Sequence, residues 1–129
     1  MRLWHENLIP YLPNAQLLGQ HRECCALRGN GWGRKHATVN YVFDHSPAYL
    51  VAFHLLVMQE MRNRRYKIDP LWYDHLYRGK ICSPWEKLDF DHALLENTPI
   101  YPEHNDYYLA ECLDNLAGKG VIIDIKLAC

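Results

Sequence analysis

The stretch SPAYLVAFHLLVMQEMRNRR, residues 46–65, carries the clearest helical pattern in the chain. Ser46 followed by Pro47 is typical of a helix start, because a serine side chain caps the first turn and proline fits its backbone geometry. Leu50, Phe53 and Val57 then recur at the spacing of one helix face. The pattern predicts a long helix with a buried apolar side, around which the rest of the domain packs.

A second helix is predicted on the N-terminal side, over residues 14–28. Pro13 and Asn14 suit its first turn and Gly29 suits its end. One of its faces carries small residues at Ala15, Gly19 and Ala26, and this stripe is bordered by Arg22 and Glu23. Small residues allow a ligand or another backbone to approach closely. The alternative is that both charges are ordinary surface residues, as most helical charges are.

The remaining segments predict shorter elements. We expect a short helix from Asp69-Pro70 to Gly79, another capped by residues 83–86, and a last helix from Pro102 to about Ala117. Residues 36–44 are rich in β-branched and aromatic residues and favour extended backbone, and residues 121–126 favour a short strand or an extended tail. Together these patterns predict an all-α protein: one compact helical domain over 1–129, with four to five helices and little or no strand.

Composition limits the class of protein. A chain of 129 residues with 49% hydrophobic residues is the size of one domain with a core. Its five cysteines are an odd number without a CxxC pair, and the N-terminal sequence lacks a signal-peptide pattern. No apolar run approaches the roughly 20 residues that span a bilayer. We therefore expect a cytoplasmic protein with reduced thiols and no membrane contact.

Charge is distributed unevenly along the chain. Residues 1–36 have a net charge of +3, residues 37–81 of +2 and residues 82–129 of −6. This asymmetry indicates a basic face suited to a polyanion, although a solvated surface with uneven charge would give the same numbers. A basic footprint confined to residues 1–36 would leave Lys119 outside it.

The loop GNGWGRKH, residues 29–36, follows the first predicted helix. Its order of residues does not match a phosphate-binding P-loop. Its basic trio Arg34, Lys35 and His36 is suited to a nucleic-acid backbone, and Trp32 to stacking on or wedging beside a base. The alternative for Trp32 is a loop aromatic folded over the core.

The chain has eight histidines, which raises the question of a metal site. His21 lies near Cys24 and Cys25 in the sequence, yet no spacing matches a known zinc pattern. We predict that His21 and His54 are core residues, that the Cys24-Cys25 pair serves packing, and that no metal or other cofactor is needed.

The run LPNAQLLGQHRE resembles the pyrimidine-dimer DNA glycosylases and AP lyases of the phage endonuclease V type. The resemblance rests on an ordered set: the adjacent Arg22-Glu23 on a helix, then Arg34-Lys35-His36, then Ser46-Pro47. The later Pro-led stretch YPEHNDYYLAECLDNLAGK also matches in outline. The likeness covers most of the chain and is close over residues 12–50.

The resemblance implies a mechanism in which the N-terminal α-amine is the nucleophile. The matching residue is Met1, because Arg2 is too bulky to permit its removal. The amine would attack C1′ of the damaged nucleoside and form a Schiff base. Glu23 would stabilise the cationic sugar and move protons. Arg22, and also Arg2, would hold phosphates of damaged double-stranded DNA.

The sequence departs from the family pattern in several places. The family begins with a small residue where this chain has Met1. A family histidine is replaced by Gln16, and a family arginine by Ala26, for which Arg28 is the nearest substitute. Basic positions of the last helix fall on Cys112 and Leu116, and the family's aromatic and basic C-terminal tail has no counterpart. Strand cleavage at abasic sites therefore follows more directly than specificity for pyrimidine dimers.

Three functions remain open from the sequence. The first is a DNA repair glycosylase and AP lyase with Met1, Glu23 and Arg22 in catalysis and Arg2, Arg28, Trp32, Arg34, Lys35 and His36 on DNA. The second is a non-catalytic nucleic-acid-binding relative that retains the scaffold. The third is a metal-dependent hydrolase. The sequence carries no signal for an oligomeric state.

Overall fold

The computed structural model describes residues 1–124. Three α-helices form its frame: α1 (Asn14–Arg28), α2 (Pro47–Asn63) and α3 (Asp106–Gly118). Four short 3-10 helices lie between and before them, at Glu6–Tyr11, Asn40–Asp44, Pro70–Tyr73 and His92–Glu96. No strand occurs in this part of the chain, so the predicted all-α class is confirmed. None of its helices combines the length and apolarity of a membrane span.

Helix α2 forms the centre of the hydrophobic core. The Ser46 side chain accepts a hydrogen bond from the Ala48 N–H at 3.2 Å, and Pro47 is the first helical residue, as the sequence predicts. Leu50, Phe53 and Val57 are fully buried. Helix α1 packs along α2 and contributes buried apolar residues. The two helices predicted most directly from the sequence thus form the main packing pair.

Helix α1 ends where the sequence predicts. The Gly29 N–H donates to the carbonyl oxygens of Cys25 and Ala26, which closes the last turn. A Cβ at position 29 would lie 2.9 Å from the carbonyl oxygen of Arg78, so glycine is required by the close approach of that segment. The end of α1 is therefore a packing surface for residues around 78.

A buried network fixes the N-terminal segment to the start of α3. His104 Nδ1 accepts the Glu6 N–H at 3.1 Å, and its Nε2 lies 2.7 Å from the Tyr41 hydroxyl. The Tyr108 hydroxyl donates to the Leu3 carbonyl oxygen. Burial lowers the pKa of His104 to about 3, which keeps the ring neutral and able to accept. The first residues of the chain are consequently held by the core.

Two predicted elements are absent. Residues 36–44 are not extended: Asn40–Asp44 is a 3-10 helix, because Val39 and Val42, three residues apart, must both enter the core. The capping pattern at 83–86 starts no helix. The Trp85 N–H instead donates to the Leu76 carbonyl oxygen at 3.0 Å, and its ring covers Arg78.

Other boundaries shift. The helix predicted from residue 70 to 79 is a single 3-10 turn, Pro70–Tyr73. Helix α3 begins at Asp106, after Pro102, because the Asn105 side chain accepts the Tyr108 N–H at 2.9 Å and caps it. Residues 121–124 have no regular structure, and the end of the predicted tail at 121–126 lies outside the described residues.

Candidate active site

A cavity of about 200 Å³ opens beside the N-terminus. It lies where the first residues, α1, the loop at 36–38 and the end of α3 meet. Its lining includes the two residues that the sequence predicts as nucleophile and carboxylate, Met1 and Glu23. It also includes Arg2, His36, Thr38 and Lys119. Four distant parts of the sequence therefore contribute to one concave surface.

Gln20 connects the N-terminal segment to Glu23. Gln20 is buried, with 1% of the residue exposed, and its Oε1 accepts the Trp4 N–H at 2.6 Å. Its Nε2 donates to the Arg2 carbonyl oxygen at 2.9 Å and to Glu23 Oε2 at 3.1 Å. One buried side chain on α1 thus aligns both the backbone that follows Met1 and the carboxylate.

The Glu23 carboxylate lies in a half-buried position with several donors. Burial raises its pKa, since removing water disfavours the charged form. The Arg2 N–H, which donates to Oε2 at 3.3 Å, opposes this rise, as do the positive α-amine of Met1, Lys119 and the Gln20 amide. The positive α-amine of Met1, which is the predicted nucleophile, is thus one of the charges that lower the pKa of Glu23. The amine and the carboxylate therefore interact electrostatically across the cavity.

The loop at 36–40 holds Met1 from the other side. The Thr38 hydroxyl donates to the Met1 carbonyl oxygen, and His36 Nδ1 lies 3.0 Å from Thr38 Oγ1. The His36 N–H donates to Asn40 Oδ1 at 2.7 Å, which fixes the loop. His36 is exposed and lines the cavity, so it lies at the site rather than merely near it.

The residue that follows α3, Lys119, is a cation that the sequence interpretation placed outside the basic footprint. Lys119 lines the cavity, with its Nζ 5.8 Å from the centre of the Trp4 ring. That expectation is therefore corrected. Cys112 and Leu116, the positions where the family resemblance places basic residues, are fully buried. Lys119 lies one turn beyond Leu116 and supplies a positive charge from the same end of the helix.

Arg2 reaches the site through its backbone. Its guanidinium pairs with Glu111 at 3.2 Å and lies against the rings of Trp4 and Tyr108. Only 15% of its side chain is exposed. The backbone N–H and carbonyl of Arg2 contact Glu23 and Gln20, whereas phosphate binding by its side chain stays a prediction.

Three of the other predicted basic residues, Arg22, Arg34 and Lys35, are exposed. Arg22 lies on the solvent side of α1, with its guanidinium 3.7 Å from where a Cβ of Gly19 would be, so it covers the small-residue stripe. It does not line the cavity with Glu23. Arg34 and Lys35 are exposed, and Arg34 donates to Asn30 Oδ1 at 3.1 Å. None of these three cations lines the cavity that holds Met1 and Glu23.

Arg28 does not have the DNA-binding position that the sequence interpretation gave it. Its side chain is fully buried, and its guanidinium donates to the carbonyl oxygens of Trp72, Asp74 and Tyr77 at 2.7–2.9 Å. It also stacks on the Trp72 ring at 5.0 Å. Burial lowers its pKa to about 10, so it stays charged at neutral pH. Arg28 holds the 72–77 segment against α1.

Replacing Arg28 should therefore reduce stability. Arg28→Met removes the guanidinium from three part-buried hydrogen bonds to carbonyl oxygens, and a hydrogen bond to a charged group contributes about 1.5–3 kcal/mol. We expect the free energy of unfolding to fall by about 3 kcal/mol or more, measured by urea denaturation. The exposed Arg62→Met is the matched control and should change it by less than about 0.5 kcal/mol. A folded Arg28→Met protein of parental stability that binds DNA less strongly would restore the original assignment.

Trp32 packs within the protein. Its ring meets Phe43 edge-on at 5.0 Å and Trp85 edge-on at 6.1 Å. Of the two interpretations of this residue, the structure shows the loop aromatic folded over the core. Stacking on a DNA base would require Trp32 to leave both partners.

His21, Cys25 and His54 form the one group of three metal-ligating side chains within residues 1–124. Their hydrogen bonds do not suit a metal. Arg28 donates to His54 Nδ1 at 3.1 Å, so the His54 proton is on Nε2, from which it is donated to His21 Nδ1 at 2.8 Å. A metal-bound histidine gives its second N–H to an acceptor, and a guanidinium cannot accept. His54 is buried as predicted, whereas His21 is partly exposed.

The chain thus combines a small all-α fold with an amine and a carboxylate at one cavity edged by cations. A family model described as pyrimidine dimer DNA glycosylase matches residues 1–74, which is more than half of the chain. The chain belongs to the pyrimidine dimer DNA glycosylase family. No match was found among curated proteins or solved structures. The matched region contains Met1, α1 with Glu23, the 34–38 loop and all of α2.

Proposed function

We propose that this protein is a DNA repair glycosylase and AP lyase that acts on damaged double-stranded DNA, at pyrimidine dimers or abasic sites. The observation that carries the proposal is the shared cavity of Met1 and Glu23, whose charges interact. Membership of the family supports DNA as the substrate. We further propose that 1–129 acts as one domain without a metal or other cofactor.

The reaction begins at the neutral form of the Met1 amine. At a damaged nucleoside its lone pair attacks C1′ and the base leaves, after which the C1′–O4′ bond breaks and O4′ takes up a proton as the sugar ring opens. At an abasic site the amine attacks the C1′ aldehyde and water leaves. Both routes give a protonated imine between the α-nitrogen and C1′. Removal of a proton from C2′ then breaks the C3′–O bond, and the 3′ phosphate departs with the strand cut.

In these reaction steps Glu23 acts both as a negative charge and as a proton carrier. Its carboxylate stabilises the positive sugar as the base leaves, and later accepts or relays the C2′ proton. A pKa raised by burial brings the group closer to neutral pH, where transfer in both directions is faster. The hydrogen bonds from Gln20 and the Arg2 N–H keep one carboxylate oxygen in place.

The exposed cations hold the DNA. Arg22, Arg34 and Lys35 are exposed, and their attraction for phosphates is independent of base sequence. His36 and Lys119 lie closer to the reacting sugar. Arg28 and Trp32 support this surface from within the protein.

Gln20→Glu tests whether the Gln20 amide controls the position and the pKa of Glu23. The variant retains an oxygen for the Trp4 N–H but loses the amide donor and adds a negative charge about 3.1 Å from Glu23. A like charge raises the pKa of Glu23 further. The acidic limb of the kcat/KM profile should therefore move to higher pH, as followed by cleavage of an abasic duplex. The exposed Gln59→Glu is the control; a Gln20→Glu profile identical to it would remove Gln20 from the site.

The proposal is tested with three duplexes that contain an abasic site, a pyrimidine dimer or no damage. We expect strand cleavage and borohydride-dependent cross-linking with the abasic duplex. Cleavage or cross-linking of the dimer-containing duplex would show that a glycosylase step precedes the lyase step, and their absence there would show an AP lyase alone. Undamaged DNA should give neither. Absence of cleavage and cross-linking on both damaged duplexes would reject the enzyme.

A second candidate, a binding protein that retains the scaffold, is favoured by one observation. The guanidinium of Arg2, next to the proposed nucleophile, is neutralised by Glu111. Salt-sensitive binding to damaged DNA without borohydride cross-linking would support this function. Inhibition by chelators would instead support a metal-dependent hydrolase.

A further inference from the structure

A second, larger cavity of about 440 Å³ lies at the C-terminal end of α1. Three of its lining residues are the cations Arg34, Arg78 and Lys80, and none of the described residues that line it is acidic. Lys80 and Arg34 are exposed. The surface is therefore positively charged, in a chain whose net charge is −1.

The segment that carries Arg78 and Lys80 is fixed to the end of the helix. Arg78 Nε donates to the Arg28 carbonyl oxygen at 2.8 Å and its NH2 to the Gly29 carbonyl oxygen at 3.1 Å. Its guanidinium also lies 4.8 Å from the Trp85 ring. Gly79, with φ +95°, then turns the chain so that Lys80 follows along the rim. Lys80 thus projects from a defined position.

This cavity adjoins the one that holds Met1 and Glu23. Arg34 lines the larger cavity and His36 the smaller, and two residues of chain separate their Cα atoms by at most about 7 Å. On α1, Glu23 lines the smaller cavity and Ala26 the larger; three residues of helix rise about 4.5 Å. The exposed Lys35 lies between the two in sequence. The basic residues Arg34, Lys35 and His36 therefore lie on the stretch of chain that connects the two cavities.

We propose that Lys80 and Arg34 bind backbone phosphates of the DNA strand that leaves the Met1–Glu23 cavity, with Arg78 fixing the geometry between them. Phosphates recur every 3.4 Å of helix axis along each strand, so a strand that enters one cavity passes the other within a few nucleotides. The inference rests on the proposed function. It extends the DNA-binding surface to residues beyond the 1–74 region matched by the family.

Equilibrium binding to an abasic duplex as a function of salt tests this surface. Lys80→Ala should lower the slope of log affinity against log salt by about 0.9, and Arg34→Ala/Lys80→Ala by about 1.8. Lys87→Ala, an exposed lysine that does not line the cavity, should leave the slope unchanged. Cleavage by Lys87→Ala at saturating enzyme should also stay at the parental rate, because this change affects neither the reacting groups nor the cavity.

Lys80→Glu provides a second variant, and it should weaken binding more than Lys80→Ala. Parental slopes for Lys80→Ala, Lys80→Glu and the double variant, in a protein that still cross-links to abasic DNA, would overturn this inference and leave the proposed function standing. If the slope falls in these variants but the parent protein does not cross-link to abasic DNA, the DNA-binding surface is supported and the proposed enzymatic function is rejected.

Discussion

Acetylation of the Met1 amine should reduce borohydride cross-linking to abasic DNA to background. The acetylated nitrogen has no available lone pair, so neither the attack on C1′ nor the imine can form. DNA binding should persist, because Arg22, Arg34 and Lys35 are unchanged. The measurement is the yield of cross-linked protein on a denaturing gel after selective N-terminal acetylation verified by intact mass.

Lysine variants are the control for that experiment. Lys35 is exposed beside the site and Lys119 lines it. Lys35→Ala and Lys119→Ala should both still cross-link, since neither amine is the proposed nucleophile. If the N-terminally acetylated protein cross-links as well as the parent, the nucleophile is a lysine, and Lys119, which lines the cavity, is the first to examine.

Glu23→Gln should lower the rate of strand cleavage by about 10²–10⁴-fold, the range typical of a group in acid–base catalysis. The substitution preserves size and hydrogen-bonding capacity but removes the charge that stabilises the cationic sugar. Affinity for abasic DNA should hold or rise, because a negative charge is lost from a surface that meets phosphates. Single-turnover cleavage and equilibrium binding measure the two effects separately.

The pH dependence of the parent protein should reflect the same role of Glu23. Since burial raises the pKa of Glu23, kcat/KM should fall with decreasing pH at a higher pH than an exposed glutamate would give. Glu86→Gln, at an exposed position away from the cavity, should have parental rates. A Glu23→Gln protein that cleaves as fast as the parent would make the chain a DNA-binding relative without this carboxylate chemistry.

Helices α1 and α2 could be predicted from sequence because their signals are local. Ser46-Pro47 and Gly29 determine their ends through hydrogen bonds within a few residues. The predictions of an extended segment at 36–44 and of a helix capped by residues 83–86 were wrong, because packing against distant residues determines the structure of both regions. Val42 enters the core, and Trp85 covers Arg78.

The candidate site likewise combines residues that the sequence predicts with contacts that depend on distant parts of the chain. The residues Met1 and Glu23 came from the family resemblance, whereas the contacts of Gln20, Thr38 and Lys119 arise only when four segments meet. Arg28 was misassigned because arginine is rarely buried, and its three carbonyl partners lie 44–49 residues away in the sequence. No local pattern predicts such a position.

In the proposed mechanism the α-amine of Met1 forms the covalent bond to DNA. The most direct measurement is peptide mapping by mass spectrometry after borohydride reduction of the complex with an abasic duplex. We predict that the sugar remnant is found on the α-nitrogen of an N-terminal peptide that begins with Met1. A remnant on a lysine side chain, or a complex with abasic DNA that yields no covalent adduct, would show that Met1 is not the nucleophile.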